Sequence, residues 1–299
     1  MQTETVDPRF VDIDRWPTAV AVAAMFEGQL AAIAAVAAQV APIAEAAEAA
    51  AARLGDRGRL AYVGAGTSGR IAVQDGAELH PTYNWPQDRL VFLMAGGLAA
   101  LTEAAEGAED DADAGRAAIA GAAIGADDVV IGVAASGRTP YTVAAIDAAG
   151  AAGALTIAIA NNAGCALLAL ADHGLVAVTG TEVIAGSTRM KAGTAQKAML
   201  NLLSTAIMLR QGRIHRGLMV NMRISNDKLR QRGEAMVRDL AGVDTMRAAQ
   251  ALDAAGQDIK LAVLLALGAA PDAGRQLLDR HSHDLTRALT AWRAEARHA

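Results

Sequence analysis

The chain reads as an α/β protein: a three-layer α/β/α arrangement on a mostly parallel five-stranded sheet, preceded by N-terminal helices and followed by a small C-terminal helical module. Three observations predict this. Five short apolar runs, at 60–65, 90–95, 129–135, 155–160 and 174–178, have the length and texture of buried strands. Helix-like segments separate them, and strands that alternate with helices build parallel sheets covered on both faces. Alanine supplies about a quarter of the residues, which favours helices and close packing of small side chains.

Taken in order, residues 18–53 are alanine-rich without a β-branched run, a helix that breaks or kinks near Pro42. The run at 60–65 enters a Gly/Thr/Ser loop. Pro140 suits the first turn of a helix over 140–152. A long helical pattern returns at 190–211 and closes at Gly212. From 217 onward the segments are helix-like, broken at Gly242, Gly256 and 268–271. The boundaries that follow are an N-terminal helical segment (1–53), a sheet domain (54–215) and a C-terminal helical module (216–299).

Composition narrows the function. Of the 299 residues 53% are hydrophobic but only 3% aromatic, and the mean hydropathy is +0.23. The most apolar stretch, 30–52, is interrupted by Gln39, Pro42, Glu45 and Glu48, whereas a membrane span needs about 20 consecutive apolar residues. The N-terminus has no basic flank followed by an apolar core, so no export signal is predicted. A net charge of −5 offers no electrostatic footprint for nucleic acid or anionic membranes. The single cysteine, Cys165, excludes an internal disulfide and a cysteine-based zinc cluster. The six histidines show no metal-ligand spacing, and His281 with His283 fits a solvated helix end. The expectation is a soluble, cytoplasmic protein that holds no metal.

Three loops carry polar chemistry. GAGTSGR (64–70) follows the first strand directly. Its GxGxxG spacing would suit a dinucleotide, but the second strand ends in Met94-Ala95-Gly96-Gly97 without the carboxylate a ribose requires. The Thr67 and Ser68 hydroxyls can instead join backbone N–H groups around one phosphate. AASGRTP (134–140) repeats the design with Ser136, Arg138 and Thr139. EVIAGSTRMKAGT (182–194) adds Ser187, Thr188, Arg189 and Lys191 just before a long helix. In an open α/β sheet such strand-end loops converge on one crevice. Arg189 and Lys191 suit a phosphate or carboxylate, or equally a pairing with Glu182 or a partner subunit. Two carboxylates stand out nearby: Glu78 in DGAELHPT (75–82) and Glu109 in EGAEDD (106–111). Taken alone, each also fits a solvated face.

Together these segments resemble the N-acetylmuramic acid 6-phosphate etherases of the sugar isomerase (SIS) domain superfamily. The resemblance is carried by 64–70 with 75–82, 95–97, EGAED (106–110), 134–141, GSTRMKAGTAQK (186–197) and NLLST (201–205). Weaker echoes are 218–220 with 226–229, and Thr3-Glu4 with Asp12-Ile13-Asp14. It implies a SIS-type fold and cleavage of the D-lactyl ether of the substrate to N-acetylglucosamine 6-phosphate and D-lactate, in cell-wall sugar recycling. It also implies a homodimer with sites near the subunit interface and no metal or organic cofactor. The family's two acid/base glutamates map to Glu78 and Glu109, with Glu78 assigned as acid toward the lactyl oxygen and Glu109 as the second acid/base at C2.

The chain departs from the family beside Glu78. The family commonly reads Cys-Pro-Pro-Thr after the glutamate and Ser before it, whereas this chain has Leu79-His80-Pro81-Thr82 and Ala77. Two other readings compete with an etherase. A non-catalytic SIS-type phosphosugar regulator would have no need of a carboxylate pair, and a phosphosugar isomerase would release no lactate.

Overall fold

The computed structural model describes residues 2–103 and 105–295. The chain divides into two compact units, Met1–Ala77 with Gln87–Ile207, and Glu78–Pro86 with Met208–Ala299. In chain order the elements run α1 (Thr18–Val36), α2 (Val40–Leu54), β1 (Leu60–Gly64), α3 (Gly66–Ala77), α4 (Leu79–Tyr83), β2 (Leu90–Met94), α5 (Ala112–Gly121), β3 (Val129–Ala134), α6 (Pro140–Ala151), β4 (Leu155–Ala160), α7 (Ala166–Leu170), β5 (His173–Val176) and α8 (Lys191–Arg210). Helices α9 (Asp227–Ala241), α10 (Thr245–Ala254), α11 (Ile259–Ala266), α12 (Pro271–Arg280) and α13 (Leu285–Glu295) complete it.

Among the described residues the first unit holds one five-stranded sheet in the order β2-β1-β3-β4-β5, and every neighbouring pair is parallel. Every residue of β1, β3 and β4 is buried, as expected of strands covered on both faces. The first three strands begin where the apolar runs predict and end one residue sooner, β4 matches its run at both ends, and β5 begins one residue before its run and ends two sooner. Where a strand stops short, the last residues of the run already turn into the loop. At the start of the sheet Asp128 ties β1 to β3. Its carboxylate accepts the Arg59 backbone N–H at 2.8 Å and the guanidinium Nη2 at 2.6 Å.

The helix break falls at Ala37–Gln39, a turn of 3-10 helix before Pro42. Proline lacks an N–H and its ring crowds the carbonyl four residues back, which here is Ala38. The apolar helical run also reaches further toward the N-terminus than 30–52. By length and composition Thr18–Leu54 could cross a membrane, with a window of mean hydropathy 1.8 of which 11% is buried.

In the second unit α9 to α13 bury Val237, Leu252, Val263, Leu264, Leu278 and Ala288 in one apolar cluster. Asn226, Asp244 and Asp258 cap α9, α10 and α11, each accepting a backbone N–H three residues on. Segment 78–86 belongs to this unit rather than to the sheet. Arg213 donates to the Tyr83 and Asn84 carbonyls, both at 2.9 Å, and its guanidinium lies 4.8 Å over the ring of Trp85. Lys260 is 3% exposed and donates to the carbonyls of Gly212 and His283. Burial and the nearby Arg213 charge push its ammonium down to about 8.

Candidate functional site

The first loop exists because two glycines let a helix begin almost on top of a strand. A Cβ on Gly69 would lie 2.9 Å from the Gly64 carbonyl, so α3 can pack this closely only with glycine at that position. Gly66 opens α3 with φ +50°, Thr67 is half-buried and Ser68 buried. The chain leaves β1 for β2 on one side and then β3 on the other, so the strand order reverses between β1 and β3. The loops after these two strands therefore flank the crevice at which open α/β sheets bind ligands.

In the second loop Ser136 Oγ accepts the Arg138 backbone N–H at 3.1 Å. Thr139 precedes Pro140, the first residue of α6, and its hydroxyl makes no cap bond. The third loop is organised by Glu182, which is fully buried. Its carboxylate accepts the Lys191 and Ala192 backbone N–H groups, both at 2.9 Å, and so caps α8. Of the alternatives for Lys191, then, it is the backbone that meets Glu182, while the ammonium donates to the Thr181 carbonyl at 2.8 Å. Ser187 and Thr188 are half-buried and Arg189 is exposed.

The loops are stitched together by residues far apart in sequence. A Cβ on Gly193 would lie 3.2 Å from Ile71 Cδ1 and 3.7 Å from Thr67 Cγ2, so the third loop's helix starts against the first loop. Asn162 Nδ2 donates to the Ala135 carbonyl at 2.9 Å and to Thr3 Oγ1 at 3.4 Å. The buried Thr3 in turn accepts the Gly186 N–H on its carbonyl at 3.1 Å. The second and third loops thus meet through the N-terminal segment.

A cavity of about 260 Å³ opens where β1 and β2 end. Gly66, Arg70, Ala95, Glu106 and Glu109 are among its lining residues. Of the predicted site residues it takes in Glu109, whereas Ser136, Thr139 and the 187–191 group do not line it. Arg138 borders a different cavity, with Arg116 and Asp147. Glu78 lies in the second unit, just past the end of α3, exposed and at the N-cap position of α4 without a capping bond. Its neighbour His80 shares a hydrogen bond with the Trp85 carbonyl at 2.9 Å. The predicted site residues do not include Arg70, and of the two glutamates in EGAED they take Glu109 and set Glu106 aside. The signal for both was present, an arginine closing the first glycine loop and a second glutamate one turn before Glu109.

Asp75 is buried on α3. It accepts from Asn201 Nδ2 at 2.7 Å and from the Tyr62 hydroxyl at 3.2 Å, with Lys197 Nζ at 3.7 Å. Burial raises its carboxyl above the ordinary value, against the pull of Ser204, Lys197, Tyr62 and Asn201. Asp75, Lys197 and Asn201, from three separate stretches of the sequence, thereby close one contact between α3, β1 and α8. Among the described residues no three His, Cys, Asp or Glu side chains gather in a group able to hold a metal ion.

A parallel sheet with hydroxyl-bearing loops at its switch point agrees with the SIS class, which the family models match directly. The SIS domain model matches residues 112–206, and the model for the glucokinase regulatory protein N-terminal SIS domain matches 42–150. The chain is 46% identical over 279 residues to an N-acetylmuramic acid 6-phosphate etherase of Deinococcus radiodurans, covering 93% of this chain and 92% of that one. It is 44% identical over 294 residues to the Streptomyces avermitilis etherase (97% and 94% covered) and 52% identical over 217 residues to that of Symbiobacterium thermophilum (73% and 72%). A phosphoheptose isomerase from Francisella tularensis superposes with a TM-score of 0.48 at 20% identity, over 65% of this chain and 98% of its own. The chain belongs to the N-acetylmuramic acid 6-phosphate etherases, a family of carbon–oxygen lyases.

Proposed function

We propose that the protein cleaves the D-lactyl ether of N-acetylmuramic acid 6-phosphate, with Glu78 and Glu109 moving the protons. An ether oxygen at C3 is a poor leaving group, but opening the sugar ring exposes an aldehyde at C1 that acidifies the C2 proton. Glu109 as carboxylate takes that proton, the C2–H electrons form the C2=C3 bond, and the C3–O bond breaks onto oxygen. Glu78 as carboxylic acid protonates the departing lactate. Water then adds at C3 with the proton roles reversed, giving N-acetylglucosamine 6-phosphate and D-lactate. The substrate's own carbonyl is the electron sink, so the scheme calls on no metal or organic cofactor.

The observation that carries this reading is the cavity at the ends of β1 and β2, in which Glu109 lies alongside the first glycine loop and a cationic side chain, Arg70. Phosphate and sugar contacts are assigned to Thr67, Ser68, Ser136, Thr139, Ser187 and Thr188, with Arg138, Arg189 and Lys191 supplying charge. A homodimer is part of the proposal. Val22, Phe26, Leu30 and Ile33 repeat at helical spacing along α1 and are each at least half exposed, an apolar row suited to a second copy. A cytoplasmic setting, with neither nucleic acid nor membrane as partner, fits a phosphorylated sugar substrate and the buried free thiol of Cys165.

The test is D-lactate release from N-acetylmuramic acid 6-phosphate, with and without chelator, by wild type, Glu78→Gln and Glu109→Gln. Wild-type turnover that survives the chelator is expected, with each variant slowed by about 10²- to 10⁴-fold. Substrate binding without lactate from wild type would establish the regulator instead. Interconversion of sugar phosphates without lactate would establish the isomerase.

A further inference from the structure

The loop that carries Glu109 leaves β2 through Gly96 and Gly97, both in the left-handed region at φ +80° and +76°. A Cβ on Gly96 would collide with Ala105 Cβ and lie 3.3 Å from Ala100 Cβ, so the loop folds back tightly over this turn. Across from it, Arg70 on the first turns of α3 donates Nε–H to the Ala100 carbonyl at 3.1 Å and Nη2–H to the Glu103 carbonyl at 3.3 Å. Arg70, Glu106 and Glu109 line the same cavity.

We propose that Arg70 is a positioning residue: its guanidinium clamps two carbonyls of the 98–110 loop and thereby holds the Glu109 carboxylate at the cavity. The proposal rests on the etherase reading. Nε and Nη2 lie on one edge of a rigid planar fork, which suits two carbonyls three residues apart. A lysine supplies the same charge from one flexible nitrogen whose donors are not held in that planar fork, so it does not fix the two carbonyls in the same geometry. That difference separates a clamp from a residue that only attracts the substrate's phosphate or carboxylate, because a simple cation-binding role tolerates lysine.

The experiment compares wild type, Arg70→Lys and Arg70→Ala in steady-state lactate release, and follows amide hydrogen exchange across 98–110. A clamp predicts that both variants lose kcat by about 10- to 100-fold, the scale of a misplaced reacting group, with KM held within about twofold. It also predicts faster exchange confined to the loop, and partial recovery of Arg70→Ala by added methylguanidinium. A raised KM with unchanged kcat in Arg70→Ala, and full activity in Arg70→Lys, would overturn the clamp and make Arg70 a substrate-binding cation. Unchanged exchange in both variants would overturn it as well. If the wild type turns over and Arg70→Lys matches it, only the clamp fails. If the wild type releases no lactate, the etherase reading fails and the clamp's catalytic role fails with it.

Discussion

Asp128 shows how much a single side chain does in this sheet. It is 5% exposed, yet its carboxyl lies below its ordinary value of 3.8. Burial pushes it up, and the Arg59 guanidinium together with the N–H groups of Arg59 and Gly125 pulls it down further than that. The unfolded chain takes up this proton near pH 4, while the folded protein holds it off until lower pH. The stabilisation is therefore present above about pH 4 and is lost as pH falls through the folded value. Asp128→Ala leaves the partly buried Arg59 without its counter-charge, held only by the Ala122 and Ala123 carbonyls, and is expected to cost about 3 kcal/mol at pH 7. In urea melts from pH 7 to pH 3 the gap between wild type and variant should narrow, and a gap independent of pH would contradict the assignment. Glu182 is a second case of a residue whose role came from its surroundings. The sequence presents it as a possible partner for an arginine or lysine, and burial makes it the cap of α8.

At the scale of elements the decisive contact is α3 against β1. Helix α3 begins two residues after the strand ends, and the first loop owes its tightness to the Gly64–Gly69 approach. Gly69→Ala puts a methyl group 2.9 Å from the Gly64 carbonyl, where backbone has to shift. Overpacking of this kind costs about 1–3 kcal/mol, and here it also moves Thr67 and Ser68. The variant should melt lower and show a raised KM for the phosphosugar, whereas the same change at the exposed helical Gly121, where a Cβ meets nothing within 4 Å, should neither lower the melting point nor raise KM. The strands and the loops after them were legible in the sequence because a buried parallel strand is a local apolar run and its loop is local too. The placement of Glu78 was not. It sits one residue beyond α3, and what draws 78–86 into the helical unit is Arg213, about 130 positions away.

For the whole molecule, the unexplained feature is the apolar surface of α1, where Phe26 is 61% and Val22 52% exposed. In the proposed dimer this row is covered by a second copy. Phe26→Glu should shift the sedimentation equilibrium from dimer toward monomer at micromolar concentration without lowering helix content. Wild type that sediments as a monomer and binds lipid vesicles would instead make the Thr18–Leu54 run a membrane element. The division into two units also leaves one proposed proton-transfer carboxylate in each, Glu109 with the sheet and Glu78 with the C-terminal helices.

By itself the sequence determined the alternation of strands and helices, the parallel sheet, the hydroxyl-rich strand ends and the family, since these depend on residue types a few positions apart. Only the tertiary structure decided that Arg70 and Glu106 share a cavity with Glu109, that Thr3 bridges two loops, that Glu182 caps a helix and that 78–86 packs with the C-terminal helices. Each of those rests on hydrogen bonds or close packing that span from several residues to well over a hundred, and such contacts are set by where the folded backbone delivers its donors and acceptors.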